Sequence, residues 1–288
     1  MFGFIPTTEN DNVFYYTDVS STLFYAWTKP SGVSFVNFLL IGAGGNGGSG
    51  AFTAAGTGRA GGSGGGSGGI TSVTYPVKFL PNIVYFSAGY GTRTYVLAEP
   101  NISTEYILAA ANQGTAGGST TTTNPAAAGD GGSAVRFSGM PLGSFGNCTF
   151  TAGVAGRAGG SGSSTTGASV DYDANGGPIR FVTGGAGGGG ITTGNIAGPG
   201  GSVTGVYPLP ILSGGAAGSV GGSGQWNWKS LCGSGGSGAG GNSAGATLAG
   251  GSAAAAFGCG GGGGGAGTST LSGTGGLGGP GLIVATYW

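Results

Sequence analysis

The chain has 288 residues, of which 76 are glycine and only 6% are charged, and its net charge is zero. Its eight basic residues are scattered singly, so no basic patch could neutralise a run of phosphates, and we expect no nucleic-acid binding. There is no histidine, and the three cysteines lie far apart. The composition therefore argues against a conventional histidine-assisted nucleophile, a histidine-ligated metal and a disulfide framework.

Glycine at this level is typical of low-complexity or disordered chains, but disorder normally goes with high charge and few aromatic residues. Here 10% of the residues are aromatic. We therefore expect an ordered chain. A surface with few charges and no net charge tends to associate, so the composition also favours packing against copies of the chain or against other proteins.

Residues 1–23 are predicted to form a short N-terminal segment, in which residues 13–17 would make a strand suited to attachment. The opening residues 1–6 contain no basic region followed by an apolar stretch, so no secretory signal is predicted. The longest strongly apolar run, residues 35–41, is too short to span a membrane. We expect synthesis and retention in the cytoplasm, and we interpret the glycosylation triplets at Asn101 and Asn147 as chance matches.

The rest of the chain, residues 24–288, is predicted to be one glycine-rich β-sandwich domain with almost no α-helix. Runs of β-branched and aromatic residues predict strands near 33–41, 70–110, 134–151, 206–212 and 282–287. Residues 33–41 are apolar on both faces, which predicts a strand buried between layers. The last two residues, Tyr287 and Trp288, are predicted to end a core strand.

Glycine tracts separate these predicted strands. Structureless loops of such length are uncommon within one domain, so an ordered bundle of polyproline II or polyglycine II helices is favoured over flexible linkers. Six consecutive glycines, residues 260–265, would suit a helix enclosed on all sides. Residues 58–64 and 156–162 share the sequence Gly-Arg-Ala-Gly-Gly-Ser-Gly, which indicates one structural role used twice.

Three stretches resemble a known family. Residues 24–45 open with Phe-Tyr-Ala-Trp-Thr-Lys-Pro-Ser-Gly-Val and lead into a glycine tract. Residues 75–91 contain a Leu-Pro hinge before an alternating strand, and residues 279–288 form a closing strand. In this order they resemble the glycine-rich domain of tail-fibre and other virion proteins of phages. The resemblance implies a jelly-roll or TNF-like sandwich with polyglycine II helices in its loops. With only about 23 residues before the domain, we expect a capsid-surface component, a spike or a fibre tip.

Aromatic residues near tract ends are the candidate surface contacts. Trp226 and Trp228 flank Asn227, and alternate side chains of an extended segment project on the same side. Tryptophan and tyrosine also dominate binding hot spots. The alternative is that these side chains cap the core or the bundle. The candidate set is Trp226, Trp228, Tyr90, Tyr95, Tyr207 and Phe257.

Two apparent ligand motifs are set aside. Asp171 and Asp173 could offer carboxylates to Ca²⁺, but a solvated polar loop is the favoured interpretation. Residues 42–47 superficially match a dinucleotide fingerprint, yet they lack the helix that would face the pyrophosphate. We expect no metal, no cofactor and no catalytic residues.

These observations favour a non-enzymatic structural protein of the virion surface. Its expected partners are copies of itself and other virion proteins, with a host receptor or glycan as a further partner. The alternatives are a self-assembling cellular fibre or matrix protein and, less favoured, an ice-binding protein. Residues 120–123 are the one dense threonine run and are too short for a large ice-binding face.

Overall fold

A computed structural model describes residues 13–17, 24–133, 148–171, 181–204, 209–244, 247–254, 256–268 and 272–288. The strands in these ranges are β1 (Val13–Tyr16), β2 (Tyr25–Thr28), β3 (Phe35–Ile41), β4 (Phe52–Thr53), β5 (Ile70–Pro76), β6 (Ile83–Ser87), β7 (Thr94–Leu97), β8 (Ile107–Ala111), β9 (Cys148–Thr151), β10 (Val170–Asp171), β11 (Val203–Thr204), β12 (Trp226–Asn227), β13 (Cys232–Gly233), β14 (Gly267–Thr268) and β15 (Leu282–Tyr287). The helices are two short 3₁₀ turns, Val77–Phe79 and Thr104–Tyr106. The predicted all-β class is confirmed.

Two antiparallel sheets form a β-sandwich. The larger has the strand order β1-β15-β3-β5-β9 and the smaller the order β2-β6-β7-β8. Side chains from both sheets share one buried cluster, which includes Trp27, Phe38, Leu40, Tyr75 and Phe86. This cluster buries large apolar area between the layers, which is the main stabilising contribution in such a fold.

Strand β3 is buried unequally on its two faces. Val36, Phe38 and Leu40 face the shared core and have no exposed surface. On the other face, Ile41 is buried in a second cluster, whereas Phe35 at the start of the strand is exposed. The prediction that β3 is buried on both faces is therefore correct for the face on the shared core. On the other face it is correct only at the end of the strand that adjoins the glycine tracts.

The remaining sequence-based boundaries are met in part. The predicted 70–110 region contains β5, β6, β7 and most of β8. Residues 134–147 and 205–208 lie outside the described ranges, so the predicted strands near 134–151 and 206–212 are seen only as β9 and as a bridge between Val203 and Leu212. From the N-terminal segment, β1 pairs with β15 at the edge of the larger sheet.

The sandwich has two distinct ends. At one end, Ile41 pairs with both Ile70 and Leu282, and each of these residues adjoins a glycine tract. We call this the bundle end. At the other end, Phe35 pairs with Pro76, and Val36 pairs with Tyr287. We call this end the base.

Within the tracts, backbone hydrogen bonds recur every third residue. The backbone N–H groups of segment 60–69 fall into three sets, and within each set the donors are three residues apart. The first set donates to carbonyls of segment 112–122, the second to carbonyls of 154–160 and the third to carbonyls of 258–264, at N···O distances of 2.8–3.2 Å. The carbonyl groups of 60–69 likewise accept from three further segments, 42–51, 129–132 and 185–188. One extended segment is thus bonded to six neighbours, which satisfies its backbone groups without helix or sheet ladders.

Segment 258–267 has the same environment. Its N–H groups donate in three sets to segments 45–51, 183–189 and 248–251, and its carbonyls accept from 62–68, 236–242 and 273–279. The six glycines 260–265 inside it are all buried. This stretch therefore lies at the centre of the tract bundle.

Candidate contact surfaces

Three of the candidate aromatic residues come together beside the larger sheet. A short hairpin, β12–β13, pairs Trp226 with Gly233. Its turn is closed by Asn227, whose side-chain Oδ1 accepts hydrogen bonds from the backbone N–H groups of Lys229 (2.9 Å) and Ser230 (3.3 Å). Such side chain–backbone bonds are the reason asparagine favours turns. The hairpin holds Trp228 at its tip.

The rings form a group that we call the aromatic cluster: Tyr15, Trp226, Trp228 and Phe257. Phe257 lies edge-on to Trp226, with ring centroids 5.1 Å apart, and 5.3 Å from Trp228. The two tryptophan rings are 6.0 Å apart, and Tyr15 of β1 meets Trp228 edge-on at 5.6 Å. Edge-to-face contacts at these distances are favourable, so they stabilise the cluster.

The two tryptophans have different roles. Trp226 packs on the second buried cluster, together with Phe257 and next to Cys259 and Ala256, and its Nε1 is buried without a hydrogen-bond partner in the described structure. Trp228 is 41% exposed. Trp226 thus supports the hairpin, as in the alternative that these side chains cap the core, while Trp228 meets solvent.

The other candidates are not part of this surface. Tyr90 donates a hydrogen bond from its hydroxyl to the carbonyl of Ala254 (3.4 Å), in the turn that precedes Phe257. Tyr95 lies in β7 and packs with Tyr85 against Leu97, Ile107 and Ala110. Tyr207 lies outside the described residues. The structure thus brings together three of the six candidates and adds Tyr15.

A second apolar surface, at the base, was not predicted. Tyr287 ends the core strand β15 and packs against the shared core, whereas Trp288, the next residue, is 55% exposed and stacks on Phe35 at 6.1 Å. Beside this pair runs a groove of about 730 Å³ lined by Val33, Ser34, Phe35, Pro76, Val77 and Lys78. We call it the base groove. No local signal in the sequence indicates this surface, because Phe35 is exposed and Phe38 is buried although both are phenylalanines of the same strand.

The described residues contain no group of histidine, cysteine, aspartate and glutamate side chains that could hold a metal. Asp171 lies in β10, which pairs with β11, whereas Asp173 is outside the described residues. The side chains of Cys232 and Cys259 are buried and form no disulfide. Burial raises the pKa of Cys259 to about 12, so this thiol stays protonated at neutral pH and is a poor nucleophile.

Among the described residues, one charged side chain, that of Arg59, is fully buried. Arg59 donates from Nη1 to the carbonyl of Thr53 (3.0 Å) and from Nη2 to Oδ1 of Asn195 (2.7 Å). Burial lowers its pKa. These bonds join strand β4 to the turn at Asn195, so Arg59 acts as a structural clamp.

In the described ranges, no helix is long and apolar enough to cross a membrane. Compared with models of protein families, the chain matches none, and no curated protein is significantly similar to it in sequence.

Proposed function

We propose that this chain is a structural protein of a virus particle surface, such as a capsid decoration, spike or fibre-tip component. In this proposal a jelly-roll or TNF-like sandwich carries a bundle of polyglycine II helices. The bundle serves as a stiff spacer, and apolar surfaces on the sandwich contact copies of the chain, other virion proteins or a host receptor or glycan.

The observation that carries the proposal is the three-residue repeat of hydrogen bonds in the tracts. A polyglycine II helix has three residues per turn and no internal hydrogen bonds, so it would direct its donors in three directions, as segment 60–69 does. A body stabilised in this way needs almost no side chains. It suits a rigid support far better than a reaction site, which requires ionisable groups held close together.

The aromatic cluster supports the assignment of a binding role at the surface. Trp228 offers an exposed ring, and the half-buried rings of Trp226 and Phe257 pack against it. Such supported aromatic rings bind proteins and sugar faces at small cost in conformational entropy. The three stretches that resemble phage virion proteins add the expectation of a particle-bound location.

A cellular fibre or matrix protein is the second candidate, favoured by the large apolar side chains left exposed, which include Phe52, Ile196, Ile211 and Leu277. An ice-binding role fits less well. The hydroxyls of Thr120 and Thr122 donate to the carbonyl of Asn124 (2.8 and 3.2 Å) within a tight turn. These threonines are therefore used locally and do not form a flat array.

The test is the location of the protein in purified particles. We expect it at a fixed copy number in the particle, at the surface in a reconstructed density map. Soluble protein that blocks adsorption to host cells would assign the host-contact role, whereas protein that polymerises alone and is absent from particles would overturn the proposal in favour of the fibre.

A further inference from the structure

The base of the sandwich exposes several large apolar side chains around the base groove. Phe35 forms part of the groove wall, Trp288 stacks on Phe35, and Phe79 is 54% exposed. Lys78, the one charged side chain in the lining of the groove, has its Nζ 4.9 Å from the centre of the Phe79 ring. Exposed apolar patches with a polar rim mark contact sites between proteins.

A loop of the smaller sheet lies at the same end of the molecule. The turn Val77–Phe79 follows β5 at the base and leads into β6, so β6 starts at the base. Strand β7 is antiparallel to β6 and ends at Leu97, opposite Tyr85, near the start of β6. The chain then forms a loop of residues 99–105, which we call the base loop. The base loop and the base groove therefore belong to two sheets that pack about 10 Å apart.

The base loop holds an isoleucine out into solvent. Ile102 is 58% exposed. Next to it, the side-chain Oδ1 of Asn101 accepts hydrogen bonds from the backbone N–H (3.0 Å) and the hydroxyl (3.1 Å) of Ser103. Across the ends of the loop, the N–H of Ala98 donates to the carbonyl of Tyr106 (2.8 Å). These bonds shape the loop before any partner binds, which lowers the entropy cost of binding.

The charges of the base loop and the base groove are opposite. Glu99 and Glu105 are exposed at the two ends of the loop, which contains no basic residue. Lys78 is exposed at the groove, whose lining contains no acidic residue. Opposite charges on two surfaces fix their orientation and disfavour like-charged pairings. The base loop of one copy is therefore complementary to the base groove of another, both in charge and in apolar character.

We propose that two copies of this chain pair base to base, each inserting Ile102 of its base loop into the base groove of the other. The isoleucine packs against Val33 and Phe35, and the two loop glutamates lie next to Lys78. Because the loop and the groove lie side by side on one end of the molecule, a two-fold axis between the two sheets forms both contacts at once. The glycine bundles of the two copies then point away from each other.

This pairing specifies the self-contact in the proposed function, on which it rests, and it needs no other virion protein. The two ideas fail separately. A chain that is monomeric in solution but present in particles would overturn the pairing alone. A chain that forms this dimer but is absent from particles would overturn the virion location alone.

The first test is the sedimentation behaviour of the full chain over a range of concentrations. We expect a dimer, and we expect Ile102→Asp to raise its Kd at least about tenfold, because the new carboxylate would enter an apolar groove. Ile211→Asp is the matched control, since Ile211 is 67% exposed beside the bridge between Val203 and Leu212, and it should leave the dimer intact. A monomeric native chain, or an Ile102→Asp variant that dimerises as tightly as the native chain, would overturn the proposal.

The second test reverses the charges in two separate preparations, one with Lys78→Glu and one with Glu99→Lys and Glu105→Lys together. Each preparation has like charges in both contacts of its own dimer, so each should be mainly monomeric. When they are mixed, both contacts join opposite charges, and native mass spectrometry should show a heterodimer. Lys78→Glu mixed with the native chain is the control, with one repulsive contact and less heterodimer. If mixing the two variants gives no more dimer than the separate preparations, the reciprocal pairing is wrong.

Discussion

Most tract glycines lie where any side chain would collide with a neighbouring backbone. Only five described glycines have a positive φ: Gly32, Gly56, Gly91, Gly218 and Gly258. Elsewhere in the tracts the requirement comes from close approach, since a Cβ would be placed against the carbonyl of a bonded neighbour. The absence of a side chain at these glycines therefore allows the close spacing between the backbones of the bundle.

Gly263→Ala should be severely destabilising. A Cβ at this central position would meet the carbonyl of Gly62 and the amide of Gly188, which are backbone atoms that cannot rotate away. We expect a loss of about 3 kcal/mol or more in the free energy of unfolding, at or above the upper end for overpacking. Chemical denaturation checks this value.

The control is Gly194→Ala. A Cβ there has only the Thr192 hydroxyl within 4 Å, at 3.7 Å, and its φ is not in the left-handed region. We expect a change within about 0.5 kcal/mol, as for an ordinary surface substitution. Equal effects at the two positions would mean that the bundle is not close-packed around residue 263.

The buried thiol of Cys259 should make the fold sensitive to alkali. Its pKa is about 12 in the folded chain and about 9 when exposed, and burial raises the pKa of Tyr75 in the same direction. Between pH 9 and 12 the unfolded chain releases these protons while the folded chain keeps them. The stability is therefore complete below pH 9 and falls as pH rises through this window.

Thermal melts from pH 8 to 11 measure this fall, and Cys259→Ala reduces its slope. Thiol labelling at pH 8 provides a separate check. Half-buried Cys148 should react first, and buried Cys232 and Cys259 only when denaturant is added. Rapid labelling of all three thiols in the native protein would contradict the burial.

At the scale of elements, the two copies of Gly-Arg-Ala-Gly-Gly-Ser-Gly are antiparallel neighbours. The N–H of Gly61 donates to the carbonyl of Gly160 (2.9 Å), and that of Gly64 to Arg157 (2.8 Å). In the second copy, Gly159 lies against the backbone of Gly61, and Gly156 lies against the backbone of Gly64. The repeat thus supplies two matching surfaces of one contact, which explains why the motif occurs twice.

The hairpin β12–β13 allows stability to be separated from binding. Trp226→Ala removes a ring packed on the second buried cluster, and we expect a loss of about 3–5 kcal/mol. Trp228→Ala removes an exposed ring and should cost about 1 kcal/mol, but under the proposed function it should greatly reduce the ability of soluble protein to block adsorption. Urea unfolding and adsorption assays measure the two effects.

Ile211→Ala, at an exposed side chain outside the aromatic cluster, is the matched control and should alter neither quantity appreciably. If Trp228→Ala unfolds the protein as readily as Trp226→Ala, the division between a supporting and an exposed tryptophan is wrong. If it leaves adsorption blocking unchanged, the aromatic cluster is not the contact surface.

Across the whole molecule, the bundle and the sandwich depend on each other. Each tract residue loses about 1–2 kcal/mol of backbone entropy on ordering and gains about 1 kcal/mol from its hydrogen bond. A lone tract is therefore unstable, and order requires all six neighbours together with the sandwich strands that fix the tract ends. The bundle and the sandwich should therefore unfold together in one cooperative transition.

The hydrogen-bonding pattern predicts slow refolding and strong protection. Segment 258–267 bonds to segments near residues 45 and 65, about 200 positions earlier in the chain. Such non-local contacts slow folding into the range of milliseconds to seconds or longer. Stopped-flow refolding measures this rate.

The same hydrogen bonds should protect the backbone amides of the bundle. Hydrogen exchange should show that amides in 60–69 and 260–265 exchange only through global unfolding. Exchange as fast as in an unfolded peptide would contradict a bonded bundle.

Several features were predictable because they depend on local chemistry. Alternating apolar residues predicted β3, β5 and β15, and the absence of an amphipathic helix predicted the all-β class. The side-by-side tryptophans 226 and 228 were recognised as a unit. The contact of Trp228 with Tyr15 was not, since it joins residues more than 200 positions apart, and the exposure of Trp288 depends on where β15 ends relative to β3.

The amino-acid sequence by itself determined that the chain is β-rich, poor in charge and built around glycine, because composition and alternation act within a few residues. The tertiary structure alone decided which tract bonds to which, that Trp226 packs on the core while Trp228 meets solvent, and that an apolar groove opens at the base. The physical reason is that a glycine tract has no side-chain pattern to choose its neighbours. The strands of the sandwich fix the tract ends in space, and the partners follow from that placement.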